Sequence, residues 1–68
     1  MRKNILRLKN GNVELMNGSG QRIRSYYKKG DATRADWYDK ANESVEVQLS
    51  NGKVVIINKS CQIIQTIV

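Results

Sequence analysis

Apolar and polar side chains alternate along two stretches of the chain, residues 6–27 and 47–68. When these stretches are aligned without a gap, at a shift of 41 positions, eight of their 22 residues are identical. A two-residue period is typical of β-strands with one buried face, and self-similarity at a fixed spacing indicates a duplicated unit. We therefore predict a single small all-β domain, residues 1–68, in which two copies of one unit are joined by residues 28–46.

An Asn-Gly pair lies at the same place in each copy, at Asn10–Gly11 and at Asn51–Gly52. Asn-Gly accepts the two positive φ angles of a type I′ turn, whose twist matches that of the flanking strands. Each pair therefore predicts a two-residue hairpin, and a third strand follows it at residues 21–27 and 62–68. The predicted register pairs Leu8 with Val13 and Arg7 with Glu14 in the first copy, and Leu49 with Val54 and Val47 with Ile56 in the second. Alternation then predicts which side chains face the core, and the others face away from it. The inward set is Leu6, Leu8, Val13, Leu15 and Ile23 in the first copy, and Val47, Leu49, Val54, Ile56 and Ile64 in the second.

A second turn follows the hairpin in each copy, at residues 17–20 and 58–61. We expect Gly20 to adopt a left-handed conformation, and Cys61 occupies the matching place, where it is either strained or part of a different turn. Cys61 is the only cysteine, and the chain has no histidine. This excludes a disulfide framework and leaves the thiol without a histidine base to activate it, so we interpret Cys61 as structural.

Residues 28–46 interrupt the repeat and contain the only tryptophan, Trp37. Two interpretations are open for this segment. Residues 33–38 can form a short strand that leads into the second copy, and we favour it because a unit of four strands accounts for the 41-residue period. A helix that begins after Asp31 as its N-cap is the alternative, since helical spacing is shared by Ala32, Ala35, Tyr38 and Ala41.

The second unit, with its leading strand, alternating apolar positions and Asn-Gly turn, resembles one blade of a β-propeller. The residues that carry the resemblance are Ala32, Ala35, Trp37, Val45, Val47, Leu49, Asn51, Gly52, Val54, Ile56, Asn58, Ile64 and Ile67. The first copy has the same pattern from Leu6 onward but lacks the leading strand. The resemblance implies tandem antiparallel meanders of three and four strands, closed into a ring by several chains as in small two-blade lectins, because a propeller needs about four to eight blades. The alternative fold is a small closed barrel of the SH3-like or OB-like kind.

Apolar residues occupy both faces of the last two strands of the second copy. A sheet that is apolar on both sides has to be covered on both sides. The first copy can cover one side, and the other must be covered by the linker or by another subunit. We therefore expect a homo-oligomer. The residues predicted to form its interface are Trp37, Val55, Ile57, Ile63 and Ile67.

The net charge of +6 is concentrated on the N-terminal side of the chain. Residues 1–29 contain eight Lys or Arg and one acid, whereas residues 30–68 contain four basic and five acidic residues. Strand alternation places several cations and a tyrosine on one face of the first copy, with two lysines at its exit, which is typical of surfaces that bind single-stranded nucleic acid. The site predicted for nucleic acid or another anionic partner is Arg7, Lys9, Arg22, Arg24, Tyr26, Lys28 and Lys29.

No residue pattern in the sequence is typical of a catalytic, metal or cofactor site, since the six acids form no paired-carboxylate motif and histidine is absent. No apolar run resembles a signal peptide or approaches the roughly 20 residues of a membrane span. We therefore expect a cytoplasmic protein that is not an enzyme and has no cofactor, no metal and no membrane partner. The predicted function is a small basic module that self-assembles and binds a partner through its basic N-terminal face. The alternatives are a single-stranded nucleic-acid-binding protein and a small propeller-type lectin.

Overall fold

A computed structural model describes residues 4–67 as an all-β protein of two antiparallel sheets. The strand order is β1-β2-β3 in the first sheet and β4-β5-β6-β7 in the second. The predicted meanders of three and four strands are confirmed, and the segment after residue 31 is a strand and not a helix. A closed barrel is wrong, because the two sheets do not join into one. The strands are β1 (Ile5–Lys9), β2 (Asn12–Met16), β3 (Arg22–Tyr27), β4 (Ala32–Asp39), β5 (Ser44–Leu49), β6 (Val54–Ile57) and β7 (Ile63–Ile67).

The first hairpin has the predicted type I′ geometry. Asn10 and Gly11 have φ angles of 53° and 76°, which are the two left-handed positions that this turn requires. β1 pairs with β2 in the predicted register, with Arg7 opposite Glu14. Because these charged residues take one face of the hairpin, Val13 and Leu15 take the other and are completely buried.

The second hairpin is one residue longer than the sequence predicts. Gly52 has a φ of 89°, but Asn51 has no positive φ and instead accepts a hydrogen bond at Oδ1 from the backbone N of Lys53, at 3.0 Å. The backbone N of Leu49 then donates to the carbonyl oxygen of Lys53 at 2.8 Å, which closes a three-residue loop with glycine in the left-handed position. The predicted pairs of Leu49 with Val54 and of Val47 with Ile56 are therefore wrong, and the observed pairs are Val47 with Val55 and Gln48 with Val54.

This difference of one residue reverses the two faces of β6, because side chains alternate along a strand. Val55 and Ile57, which the sequence places on the face away from the core, point into it and are 4% and 0% exposed. Ile56, predicted to face inward, lies on the opposite face between Glu46 and Gln65 on the neighbouring strands. It is nevertheless completely buried.

The second turns of the two copies have the same hydrogen bonds. Asn17 and Asn58 each accept two hydrogen bonds at the side-chain Oδ1, from the backbone N atoms of the serine two residues later and the glutamine four residues later. The distances are 2.9 Å in the first copy and 3.0 Å in the second. Gly20 has a φ of 83° and Cys61 a φ of 63°. Cys61 therefore occupies, in the second copy, the turn position that Gly20 occupies in the first. Its left-handed conformation is strained for a residue with a Cβ atom.

The two sheets share one hydrophobic core, to which both copies contribute. Trp37 and Leu6 are partly buried and pack against this core. Three residues predicted to face inward are instead largely exposed, since Leu8, Ile23 and Ile64 are 43%, 43% and 56% exposed and each lies on an edge strand. The buried members of the core are Val13, Leu15, Tyr26, Tyr27, Ala32, Val45, Val47, Val55 and Ile57.

A close backbone contact joins the two sheets at one end of the molecule. A Cβ atom on Gly11 would lie 2.0 Å from the carbonyl oxygen of Gly30, so only glycine fits there. The backbone N of Ala32 donates to the carbonyl oxygen of Gly11 at 3.0 Å, and the backbone N of Ser50 donates to that of Asp31 at 2.9 Å. These contacts hold the first hairpin turn, the β3–β4 connection and the second hairpin turn at the same end.

Candidate anion-binding surface

The three loops that meet at this end carry four lysines. Lys9 precedes the first hairpin turn, Lys28 and Lys29 precede Gly30 in the β3–β4 connection, and Lys53 closes the second hairpin turn. All four residues are exposed. We call Lys9, Lys28, Lys29 and Lys53 the lysine end. Backbone hydrogen bonds fix the loops that carry these lysines, so the fold brings together charges that are far apart in the sequence.

No ion pair neutralises the lysine end within residues 4–67. Asp31 lies in the same connection as Lys28 and Lys29, but its carboxylate accepts a hydrogen bond from the hydroxyl of Tyr27. The four lysines therefore keep their charge available to a ligand. The ion pairs of the described chain join Arg7 and Arg22 to Glu14, and Arg24 to Glu43.

The Tyr27 hydroxyl remains a hydrogen-bond donor over a wide pH range. Burial, and after it the hydrogen bond to Asp31, raises the pKa of Tyr27 to about 12. The ring is only 5% exposed, and in so apolar a setting the neutral phenol is favoured over the phenolate. Part of the hydrogen-bonding capacity of the Asp31 carboxylate is thus used inside the fold.

Arg7 and Arg22 lie on the outer face of the first sheet, where they share Glu14. Nη2 of Arg7 is 2.7 Å from Oε1 of Glu14, and Nη1 of Arg22 is 3.1 Å from Oε2. The hydrogen bond from Arg7, and then the one from Arg22, lowers the pKa of Glu14. This face has two arginines for one acid and is still basic, but its guanidinium groups are already engaged.

Arg24 and Tyr26 do not belong to that face. A bulge between Leu15 and Met16 of β2 places Arg24 opposite Leu15, whereas Arg22 is opposite Met16. Nη1 of Arg24 donates to the carbonyl oxygen of Lys59 at 3.0 Å, and the guanidinium carbon lies 5.7 Å from the centre of the Tyr26 ring. Both contacts are within the chain, and the hydrogen bond to Lys59 links the first copy to the second.

Tyr26 is buried, so the prediction that it lies exposed on the basic face is wrong, although Arg24 does lie beside its ring. Its side chain is 4% exposed, and its hydroxyl donates to the carbonyl oxygen of Glu43 at 2.7 Å. Burial is the main reason that the pKa of Tyr26 is raised. A nucleic-acid base therefore cannot stack on this ring while the two sheets remain packed.

The structure thus divides the site predicted from the sequence into separate groups. Lys9, Lys28 and Lys29 come together at the lysine end, whereas the arginines and Tyr26 lie elsewhere. Sequence reasoning missed Lys53, which belongs to the less basic half of the chain. The repeat contained a signal for Lys53. This residue aligns with Asn12, which faces Lys9 across the first hairpin, so both positions lie beside a hairpin turn.

The predicted oligomer interface is also divided. Val55 and Ile57 lie in the core of the chain itself, and Trp37 packs partly buried against that core. Ile63 and Ile67 on β7 are 48% and 44% exposed. Of the predicted interface, the surface of a single chain therefore offers mainly these two isoleucines.

A polar cleft of about 220 Å³ lies on the outer face of the second sheet, lined by Arg34, Asp36, Glu46 and Gln48. Its volume is below the roughly 300 Å³ at which small-molecule sites usually begin, and we assign it no ligand. Residues 4–67 contain no group of three or more His, Cys, Asp or Glu suited to hold a metal ion. Within the same range there is also no helix of the length and apolarity that crossing a membrane requires.

Comparison with protein-family models, with curated proteins and with solved structures gives no match for this chain. The resemblance to propeller blades therefore has no relative or structural neighbour to support it. At the level of fold, the established features are the two antiparallel meanders and the core between them.

Proposed function

We propose that the protein is a non-catalytic module that binds the phosphate backbone of nucleic acid through its lysine end. The observation that carries this proposal is the convergence of four exposed lysines on three loops that backbone contacts hold together. A lysine ammonium group is a compact charge that binds phosphate without the fixed geometry of arginine. A cluster of such groups positions a phosphate chain but carries no information about base sequence.

The burial of Tyr26 determines which mode of binding we expect. Proteins that prefer single strands combine a basic groove with exposed aromatic rings on which bases stack, and Tyr26 is not accessible for this. We therefore expect binding that depends on charge, with little preference for base sequence and similar affinity for single strands and duplexes. The single-strand-specific alternative would need an aromatic ring other than Tyr26.

The number of lysines predicts how steeply the affinity for nucleic acid should fall with salt concentration. Each phosphate neutralised on a single strand contributes about 0.7 to the slope of log affinity against log salt concentration. Four lysines that each contact one phosphate give a slope of about −3, so that affinity falls by about 50-fold between roughly 50 and 200 mM salt. A slope near zero would mean that phosphates are not the ligand.

Two double variants with the same net charge provide the experiment. Lys28→Gln with Lys29→Gln removes two charges from the lysine end, and Lys40→Gln with Lys59→Gln removes two from turns at the far ends of β4 and β6. The measurement is fluorescence anisotropy of a labelled oligonucleotide, as a single strand and as a duplex, over a series of salt concentrations. We expect the first variant to lose about 1.4 from the slope, two contacts at about 0.7 each, and the second to lose much less.

Two results would contradict the proposal. Equal losses in the two variants would mean that net charge alone governs binding and that the lysine end is not a site. Binding of heparin, a sulfated polysaccharide, without measurable binding of any oligonucleotide would mean that the natural polyanion is not nucleic acid.

A further inference from the structure

Within residues 4–67, the exposed large hydrophobic residues lie on strands at the edges of the two sheets. Sheet order makes β1 and β3 the edges of the first sheet and β4 and β7 those of the second. β7 differs from the other three, because all five of its residues are exposed. The exposed residues are Ile5 and Leu8 on β1, Ile23 on β3, Tyr38 on β4, and Ile63, Ile64 and Ile67 on β7.

Charge also separates β7 from the other edges. An edge strand offers unpaired backbone N–H and C=O groups to any other strand, and charged side chains normally discourage such pairing. β1 carries Arg7 and Lys9, and the charged residues of β3 and β4 serve the same purpose there. β7 has the sequence IIQTI and carries no charge, although the protein as a whole is at +6. Its edge therefore lacks this common protection against pairing.

The free side of β7 is available along its whole length in the part of the chain that the structure describes. β6 pairs with one side of β7, and no strand within residues 4–67 pairs with the other. Ile63, Ile64 and Ile67 are 48%, 56% and 44% exposed. A strand added at this edge would form backbone hydrogen bonds and cover apolar surface at the same time.

We propose that β7 pairs in antiparallel fashion with β7 of a second copy of this chain. A second β7 is a better partner for this edge than β1, β3 or β4 of the second copy. Each of those strands would bring lysine, arginine or aspartate against an uncharged apolar strand. The arrangement is isologous, so the same residues serve both copies. With Gln65 at the centre opposite its own equivalent, Ile63 of one copy faces Ile67 of the other and Ile64 faces Thr66. The two four-stranded sheets then form one continuous sheet of eight strands.

This dimer is independent of the polyanion site and has the opposite dependence on salt. The contact is a single pair of five-residue strands, smaller than the roughly 1,200 Å² of a stable interface, so we expect weak and reversible association. Two chains of charge +6 repel each other, and salt screens that repulsion. Added salt should therefore strengthen self-association while it weakens binding to nucleic acid. Because the two effects have opposite signs, a result that contradicts one proposal does not contradict the other.

The repeat supplies a matched pair of variants for the test. Ile23 and Ile64 occupy the same position in the two copies, on β3 and on β7. Sedimentation velocity of the full chain from micromolar to millimolar concentration should show a monomer–dimer equilibrium. We expect Ile64→Lys to abolish the dimer and Ile23→Lys to retain it. A chain that stays monomeric at millimolar concentration in high salt, or a dimer that persists in Ile64→Lys, would overturn the proposal.

A cross-linking scan tests the register and does not rely on a lysine variant that could fail to fold. Single cysteines are placed at residues 63–67 in a Cys61→Gly background, and disulfide formation is followed on air oxidation. In an antiparallel symmetric pair only the residues near the axis approach their own equivalents closely enough for a disulfide, with Cα atoms about 4.4–6.8 Å apart. We expect Gln65→Cys to cross-link fastest and the rate to fall towards both ends. A uniform rate, or a maximum at either end of β7, would overturn the proposed pairing.

Discussion

Gly11 and Gly52 occupy the same position in the two copies, and alanine should have very different effects at the two sites. Both glycines have a positive φ, 76° for Gly11 and 89° for Gly52, and placing a residue with a Cβ atom there costs about 1–2 kcal/mol. A Cβ atom on Gly52 meets nothing within 4 Å, whereas one on Gly11 would lie 2.0 Å from the carbonyl oxygen of Gly30. The backbone strain is thus common to both sites, and the clash is confined to Gly11.

The additional cost at Gly11 follows from what has to move. The atom that is struck belongs to the backbone, so relief requires the first hairpin and the β3–β4 connection to separate. This breaks the hydrogen bond from the backbone N of Ala32 to Gly11, and a broken backbone hydrogen bond costs about 1–3 kcal/mol when its partners are left unsatisfied. We expect Gly11→Ala to lose about 2–5 kcal/mol of unfolding free energy in all, the sum of the two costs, and Gly52→Ala about 1–2.

The assay is urea unfolding, followed by the fluorescence of Trp37, the only tryptophan. A chain of this size has a total stability of roughly 3–10 kcal/mol, so the loss expected for Gly11→Ala is a large fraction of the total and should shift the urea midpoint far more than Gly52→Ala does. Substitution by asparagine separates the effect of backbone strain from that of the steric clash, because asparagine tolerates a left-handed φ but still carries a Cβ atom. Gly52→Asn should be nearly neutral and Gly11→Asn should remain strongly destabilising. Similar losses for the two alanine variants would refute the close backbone contact.

Three further predictions concern single side chains. Cys61→Gly should raise the unfolding free energy by about 1 kcal/mol, because it relieves the left-handed strain, and Gly20→Ala should lower it by a similar amount; urea unfolding measures both. The wild type should lose stability as the pH rises from about 10 to 12, because the pKa of Tyr27 is about 12 in the folded chain and about 10 when unfolded; Tyr27→Phe, unfolded over the same pH series, should lack this contribution. Stability should also fall as the pH drops below about 4.5, because the pKa of Glu14 is lowered from that value in the folded state, and acid titration of Glu14→Gln should show a smaller fall.

The strands of the two meanders could be predicted from the sequence, and the first hairpin could be predicted down to its register. Asn10–Gly11 took the type I′ turn, and the register of the first hairpin followed from it. The same dipeptide at residues 51–52 formed a longer loop, because the asparagine side chain bonded to the backbone N of Lys53. The difference of one residue in loop length then reversed the faces of β6. Contacts from the rest of the core decide such a choice, and a local sequence pattern does not contain them.

The candidate site was harder to predict than the fold. Alternation placed Arg22, Arg24 and Tyr26 on one face, but a bulge in the β2–β3 pairing separates Arg22 from Arg24. A strand pattern gives no warning of a bulge that depends on packing. The lysine end depends on two glycines, Gly11 and Gly30, whose close approach brings distant loops together. The sequence indicated an excess of cations in the first half of the chain, and the backbone contacts between the loops added Lys53 to them.

Titration of the isotope-labelled protein with an oligonucleotide, followed by backbone amide chemical shifts, tests the lysine end most directly. We expect the largest shifts in the three loops at residues 9–11, 28–31 and 50–53, and little change in the turns at residues 17–20, 40–43 and 58–61. Shifts concentrated in those other turns, or spread evenly over the surface, would contradict this expectation.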